Sequence, residues 1–404
     1  MGPLDGIRVI ESAVVLNGPA AGYMLGDLGA EVIKVEPPVT GDLSRGMEAM
    51  YGTYLFTPDG RSVIWEAGNR NKKSVVLNLR NEEGKATFYR LIERSDVFLT
   101  NYRPKALQRM GIDYETLRKH NPKLVYAHTT AFGSKGPFKD RAGFDMTAQA
   151  YSGAMWIAGD RDYSGPAMTV GSVYDMIGAS FLAYGILAAL VARERTGVGQ
   201  QVETSILSGA VHVQALNLSS FLWAGTGQAR FSQKRTRNPL TNYYQCADGK
   251  WIVLCEPAAK NWENICTAMG MQELIPDKRF STPKIRAQNY AELITLLESK
   301  FATKPRHEWL SIFDQYDFPY SPLNSYEDVV DDPQILSNQC VVETDHATAG
   351  KTKAVGYPVQ FSETPASVRS GAPEFGQHTE EVLVEILGCS WQEVDRLRNQ
   401  GALG

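Results

Sequence analysis

Short apolar runs alternate with amphipathic stretches through the first half of the chain. Ile7–Ile10 (IRVI) predicts a buried strand, and helical spacing through Tyr23, Met24 and Leu28 predicts a helix that Gly29 stops. EVIKVE, Glu31–Glu36, predicts a second strand, and the short connections favour a parallel pair. Further strands are expected at Ser74–Leu79, Asp96–Thr100 and Leu124–His128, with helices over 82–94 and 113–120. The pattern is that of an α/β protein with a doubly wound sheet.

Met176–Ala192, MIGASFLAYGILAALVA, is the most apolar segment, yet it is short for a membrane span and carries Gly178, Ser180, Tyr184 and Gly185. A buried helix, apolar all round, is expected there. RERTGVG then makes a turn before a strand at Gln201–Ser205. Residues 224–238 turn polar and basic, as a solvated linker would. A smaller α+β unit follows, with a strand at Trp251–Cys255 and helices near 260–270, 287–303 and 306–316. A strand-rich stretch runs to about 361, and helices at Glu380–Leu387 and Trp391–Gln400 close the chain, with no internal repeat.

The 404 residues exceed one ordinary core, so two domains are expected. A net charge of −4 with scattered Lys and Arg gives no basic surface for nucleic acid. The five cysteines form no CxxC pair and no metal cluster with the six histidines, and this sparse set suits a reducing compartment. No basic region precedes an apolar core at the N-terminus, so a cytoplasmic location is expected, with neither membrane nor nucleic acid as partner.

Several chemistries lack their motifs. GxSxG, GxxxxGK[ST] and GxGxxG do not occur, and the first strand-to-helix turn reads Val14-Val15-Leu16-Asn17-Gly18-Pro19. Glu36 reads as a solvated strand end. Cations gather near the expected carboxyl ends of the strands, namely Arg45, Lys72, Lys73, Arg80, Arg103, Lys105, Arg109 and Lys135, where a phosphate-bearing ligand would fit. Asn101-Tyr102-Arg103-Pro104 offers an amide, a flat ring and a guanidinium directly after a strand. In RAGFDMTAQAYSG, Arg141–Gly153, Asp145 follows a glycine by two residues and opens a helical stretch. Local sequence reads that acid as an N-cap or as a nucleophile beside free N–H groups.

These segments together carry a family resemblance: GPLDGIRVIE, NGPAAG, GAEVIKVEPPVTGD, NRNKKSVVLNL, TNYRPKALQRMGIDYETL, NPKLVYAHTTAFGSKGP, AGFDMTAQAYSG, VYDMIGASFLAYGILAALVARERTGVGQQVETSI and APEFGQHTEEVL. Through nearly its whole length the chain resembles the class III CoA-transferases, the CaiB/BaiF family. That family includes formyl-CoA, carnitine and phenyllactate CoA-transferases and the α-methylacyl-CoA racemases.

The resemblance implies a Rossmann-like large domain formed by both chain ends, a smaller α+β domain between them, and an interlocked dimer. The boundaries expected are 1–223 for the first part of the large domain, 224–328 for the linker and small domain, and 329–404 for the return. The resemblance assigns the acyl-accepting nucleophile to Asp145. It implies CoA contacts at Val14, Val15, Leu16, Asn17, Leu77, Arg80, Asn101, Tyr102 and Arg109. Pro38 stands where formyl-CoA transferase has an arginine, which leaves the 3′-phosphate to Lys73 or Arg103. Phe132 and Lys135 complete the expected set.

The expected reaction moves CoA from an acyl-CoA to a carboxylic acid through an aspartyl anhydride and an aspartyl-CoA thioester, with no permanently bound cofactor and no metal. Backbone N–H groups at Phe132-Gly133 and Tyr151-Ser152-Gly153 are the expected oxyanion donors. Tyr51, Tyr54, Phe56, Trp65 and Trp156 suggest an aromatic or bulky acid, with phenyllactate and benzylsuccinate transferases nearest in kind. A racemase would need a second base, typically a histidine upstream of the aspartate; Glu115 stands at that position, which counts against the racemase, while His120 nearby keeps it as an alternative. A CoA-binding subunit of a hetero-oligomer is the other alternative, so the partner is a second copy or a paralogue.

Overall fold

The computed structural model describes residues 1–159, 165–227, 229–257 and 260–403. The chain folds into two compact units. The first contains Met1–Trp156, Met168–Gly227 and Leu336–Gly404, and the second contains Ile157–Ala167 and Gln228–Ile335. Residues 157–167 therefore belong to the second unit, a detour the sequence pattern does not display.

Six parallel strands organise the first unit: β1 Arg8–Ser12, β2 Glu31–Glu36, β3 Lys72–Val76, β4 Val97–Thr100, β5 Val125–Thr130 and β6 Gln201–Ser205. Their spatial order is β3-β2-β1-β4-β5-β6, in which chain order reverses between β1 and β4. Such a reversal opens a crevice at the carboxyl ends of the two central strands, where open α/β sheets take ligands.

Alternating side chains serve two cores. Ile10, Ile33, Phe98 and Tyr126 face a cluster completed by α2 (Glu82–Glu93) and by Val382, Leu383, Val394 and Leu397 of the C-terminal segment. Val9, Val32, Leu99 and Ala127 face the opposite cluster with α1 (Asn17–Asp27) and α4 (Val173–Thr196). Gly29, at φ +105°, supplies the left-handed turn after α1 that a side chain would strain.

The apolar segment 176–192 lies inside α4, a 24-residue helix long and apolar enough by length and composition to cross a bilayer. It is not enclosed all round. Ala179, Leu182 and Ile186 are buried against the sheet-side cluster, whereas Tyr184 and Val191 are exposed. Two shorter helices matter below: α3 (Asp145–Tyr151) and α5 (Ile206–His212).

The second unit has a three-stranded antiparallel sheet of Thr241–Gln245, Trp251–Cys255 and Tyr320–Leu323. Helices Trp262–Ala268, Tyr290–Phe301 and Arg306–Phe313 cover a separate core around Tyr244, Phe301 and Trp309. Ser232 and Gln233 are buried in this unit, so the basic stretch before it is not wholly solvated.

Candidate active site

The turn after β1 is held against its own preferences. Val15 sits at φ +66°, a left-handed conformation that a β-branched residue enters only under constraint. Its N–H donates to Asp42 Oδ1 at 3.0 Å. Asn101, just past β4, accepts from the Val14 N–H at 2.9 Å and donates to the Val14 carbonyl at 2.7 Å. Asn17 donates to the Asp175 carbonyl at 2.7 Å and accepts from the Thr129 hydroxyl at 2.7 Å. The turns after β1 and β4 are thereby locked together at the point of strand reversal.

Beneath the turn lies a buried charge network. Lys34 Nζ is 2.7 Å from Glu11 and 2.8 Å from Asp42, and Lys72 Nζ is 2.7 Å from the other Glu11 oxygen. Burial pushes the Asp42 carboxyl up, but Lys34 and the N–H groups of Val15 and Ser44 outweigh it and hold the carboxyl low. Burial lowers Lys72 to about 8 against the pull of Glu11. Glu36 is likewise buried, held by Arg45 and the Ser74 hydroxyl, and is no solvated strand end.

Above the turn is a cavity of about 290 Å³. Val14, Val15, Leu16, Asn17, Asn101, Tyr102 and Arg103 all line it, which brings seven of the sequence-predicted residues together. Tyr102 turns its hydroxyl inward to Ser12, and burial with the nearby carboxylates raises its pKa. Lys139, Arg141, Phe144 and Asp175 also line the cavity, and neither local pattern nor family resemblance singles them out as ligands. Lys139 and Arg141 stand four and two residues before Gly143 of the AGFD motif, a cationic approach that is legible in the sequence.

Other expected contacts lie elsewhere, and none of the following lines this cavity. Lys73 is the second residue of β3, at its amino end, and is paired with Glu31 at 2.9 Å and Glu381 at 2.8 Å. Leu77 is wholly buried in the core beside Phe88 and Val382. Arg80 is exposed in the turn after β3, and Arg109 is exposed in the last turn of helix Pro104–Met110. Phe132 packs edge-on against Phe138 and Tyr151 at 5.6 and 5.9 Å. Lys135 is exposed and acts on Glu203. Lys72 and Arg45 are committed to buried carboxylates and are not free for phosphate.

Asp145 is the first residue of α3 and has no exposed surface. It does not cap its own helix; Phe144 occupies that position, and its N–H donates to the Thr147 hydroxyl at 2.9 Å. Its carboxylate caps a different helix. Oδ2 accepts the N–H groups of Tyr174 at 2.7 Å and Asp175 at 3.0 Å, in the first turn of α4. Oδ1 accepts from Gln149, whose own carbonyl oxygen accepts from the Thr169 N–H and hydroxyl. Ser172, the residue before α4, is left-handed at φ +62° and gives that helix no side-chain cap, so Asp145 supplies the missing acceptor. Gly143 is required by contact: a Cβ there would lie 2.7 Å from Ala131 and Phe132 side-chain atoms.

Two of the expected oxyanion donors are already engaged. Gly133 N–H donates to the Thr130 hydroxyl at 2.9 Å, and Ser152 N–H to the Ala148 carbonyl at 2.9 Å. Of the five aromatics, Tyr51 meets this region, bonding the backbone of Met146 and feeling the charges of Asp145 and Asp175. Trp65 is core, with Arg45 stacked on it at 3.5 Å, while Tyr54 and Trp156 are exposed. Glu115 is exposed beside Arg118, and His120 stacks on Tyr89 at 4.1 Å; neither lines the cavity.

Residues 4–379 match the family model described as CoA-transferase family III. The chain belongs to that family. The transferase is 34% identical over 406 residues to succinyl-CoA:glutarate CoA-transferase of Mus musculus, covering 100% of this chain and 91% of the mouse protein. It is 32% identical over 400 residues to cinnamoyl-CoA:phenyllactate CoA-transferase of Clostridium sporogenes, covering 97% and 95% of the two chains. A crystal structure of a CAIB/BAIF family protein from Brucella suis matches with TM-score 0.85 at 30% identity, covering 95% of this chain and 99% of that one. The transferase therefore acts on CoA thioesters, with the mixed α/β fold and six-stranded parallel sheet of its family.

Proposed function

We propose that the transferase moves CoA from an acyl-CoA donor to a small carboxylic acid through covalent attachment at Asp145. One observation carries this reading: Asp145 Oδ2 is held by two N–H groups at the start of α4, directly behind a cavity bounded by Phe144 and Asp175. The cavity also carries Arg103, Lys139 and Arg141, cations suited to the phosphates of CoA.

Oδ1 leaves Gln149 and attacks the thioester carbonyl; the C–S bond breaks, giving an aspartyl-acyl anhydride and CoA thiolate. The thiolate attacks Asp145 Cγ, releasing the first acid as a carboxylate and leaving an aspartyl-CoA thioester. The acceptor carboxylate attacks that thioester, and the thiolate then attacks the acceptor carbonyl and frees Asp145. Each attack on Cγ puts negative charge on Oδ2, where the Tyr174 and Asp175 N–H groups already point. These take the place of the Gly133 and Ser152 N–H groups as oxyanion donors, and losing one would cost on the order of 3 kcal/mol. An anhydride hydrolyses readily, and the enclosure of Asp145 keeps bulk water from it.

Relatives named for glutarate and for phenyllactate support an acceptor that is dicarboxylic or aromatic. The reading includes an interlocked dimer and a cytoplasmic location, the latter in keeping with the five unpaired cysteines. The test is incubation with succinyl-CoA or cinnamoyl-CoA, followed by mass spectrometry for a hydroxylamine-sensitive adduct. The adduct is expected on Asp145 and absent from Asp145→Asn. No adduct from either thioester, with Asp145→Asn still exchanging CoA, overturns the mechanism.

A further inference from the structure

Among the described residues, Asp175 is the acid that both holds the nucleophile through its backbone N–H and lines the cavity. Its N–H holds Asp145 Oδ2 at 3.0 Å, and its carbonyl accepts from Asn17 at 2.7 Å. The residue is 6% exposed, and its carboxyl accepts no hydrogen bond from a described residue. A buried carboxyl without a partner is costly, and it is kept where a ligand completes it. The space it borders is the space from which sulfur must reach Asp145 Cγ.

We propose that Asp175, in its neutral form, is a further catalytic residue that donates its carboxyl O–H to the CoA sulfur between the two half-reactions. The proposal rests on the reading of Asp145 as nucleophile. When the C–S bond of the donor breaks, the electron pair stays on sulfur and the Asp175 O–H···S hydrogen bond holds the thiolate in the cavity. When sulfur attacks Cγ, the C–O bond of the anhydride breaks and the proton stays on the Asp175 oxygen. No proton is gained or lost over the cycle.

The surroundings favour that neutral form. Burial is the largest cause and Asp145 on α3 the second, and together they push Asp175 up to about 7. The other titratable neighbour is Tyr51 from the hairpin 49–54. Asn17 on α1 and Ile206 on α5 carry no charge, and Arg103, Lys139 and Arg141 are the cations of the same cavity wall. A charged Asp175 would repel both the Asp145 carboxylate and the thiolate.

The test compares wild type, Asp175→Asn and Asp175→Ala in succinyl-CoA exchange from pH 6 to pH 9, with the Asp145 adduct trapped in parallel. In wild type kcat/KM falls above about pH 7, since that ratio reports the free enzyme. Asp175→Asn, which keeps a donor that does not ionise, loses that alkaline fall. Asp175→Ala loses about 100-fold in kcat, labels Asp145 slowly, and stays well below Asp175→Asn. Where Ala lowers the melting temperature, Asp175→Ser takes its place. An unchanged alkaline fall in Asp175→Asn, or wild-type kcat in Asp175→Ala or Asp175→Ser, overturns the proposal. Failure of wild type itself to label Asp145 overturns the nucleophile reading and the proposal with it, and is told apart by that missing adduct.

Discussion

Asp145 Oδ2 accepts the backbone N–H of Tyr174 at 2.7 Å, so a single carboxylate closes the open end of a 24-residue helix and stands as the candidate nucleophile. The capping role and the chemical role then separate by substitution. Both Asp145→Asn and Asp145→Ala lose the Gln149 bond, but Asp145→Asn keeps an acceptor oxygen for the helix and is expected to be the more stable of the two. Asp145→Ala removes the cap and costs about 1–2 kcal/mol. Neither variant transfers CoA. Urea denaturation of both variants checks this, and equal losses in the two would mean that the cap carries no energy.

Lys34 meets Glu11 and Asp42 in a region without exposed surface, and Asp42 in turn fixes the strained Val15. Lys34→Met leaves the buried Asp42 without its cation and Glu11 with Lys72 alone, and breaking such a group costs about 3–5 kcal/mol. Any folded fraction is expected to bind acyl-CoA more weakly, because the Val14–Asn17 turn loses its anchor. The unfolding midpoint together with KM for acyl-CoA tests both halves. A destabilised protein with unchanged KM would uncouple the network from the turn.

The same network explains what the sequence did and did not disclose. Apolar alternation located β2 and β6 to the residue, and the other four strands of the large sheet within a few residues. Charges inside strands were harder to read. Glu36, Lys34 and Lys72 look like solvent-facing residues until Glu11, Asp42 and Arg45 arrive from distant positions to neutralise them. Val14–Asn17 came from the family resemblance and Asn101–Arg103 from their place directly after a strand, and both sets line the cavity at the reversal point. Asp175 was not legible, since an acid in the first turn of an apolar helix is ordinary. Only the fold sets it beside Asp145.

Helix Ala215–Ala224 has no buried residue, and Leu216, Leu222 and Trp223 are 84%, 71% and 90% exposed. So much contiguous apolar surface on one short helix is the mark of an interface, and the family resemblance expects a second copy to cover it. Light scattering at micromolar concentration is expected to give twice the chain mass for wild type. The double variant Leu216→Glu, Trp223→Glu places charges where the apolar contact forms, and is expected to give the monomer mass. A variant that remains dimeric would move the interface to another face.

Asp175 also links folding to pH. Its carboxyl is raised to about 7 in the folded chain, against about 3.9 for an unperturbed aspartate. Between those values the folded state binds the proton and the unfolded state has released it, so stability falls as pH rises. The contribution is complete below about pH 4, is lost progressively up to about pH 7, and is flat beyond. Asp175→Asn has no proton to lose there, so its melting temperature is expected to gain on that of wild type between pH 5 and pH 7 and to hold a constant lead above. Parallel melting curves for the two proteins would mean that Asp175 is already ionised when the chain is folded at neutral pH. A neutral donor at the sulfur would then be ruled out from a measurement that involves no substrate.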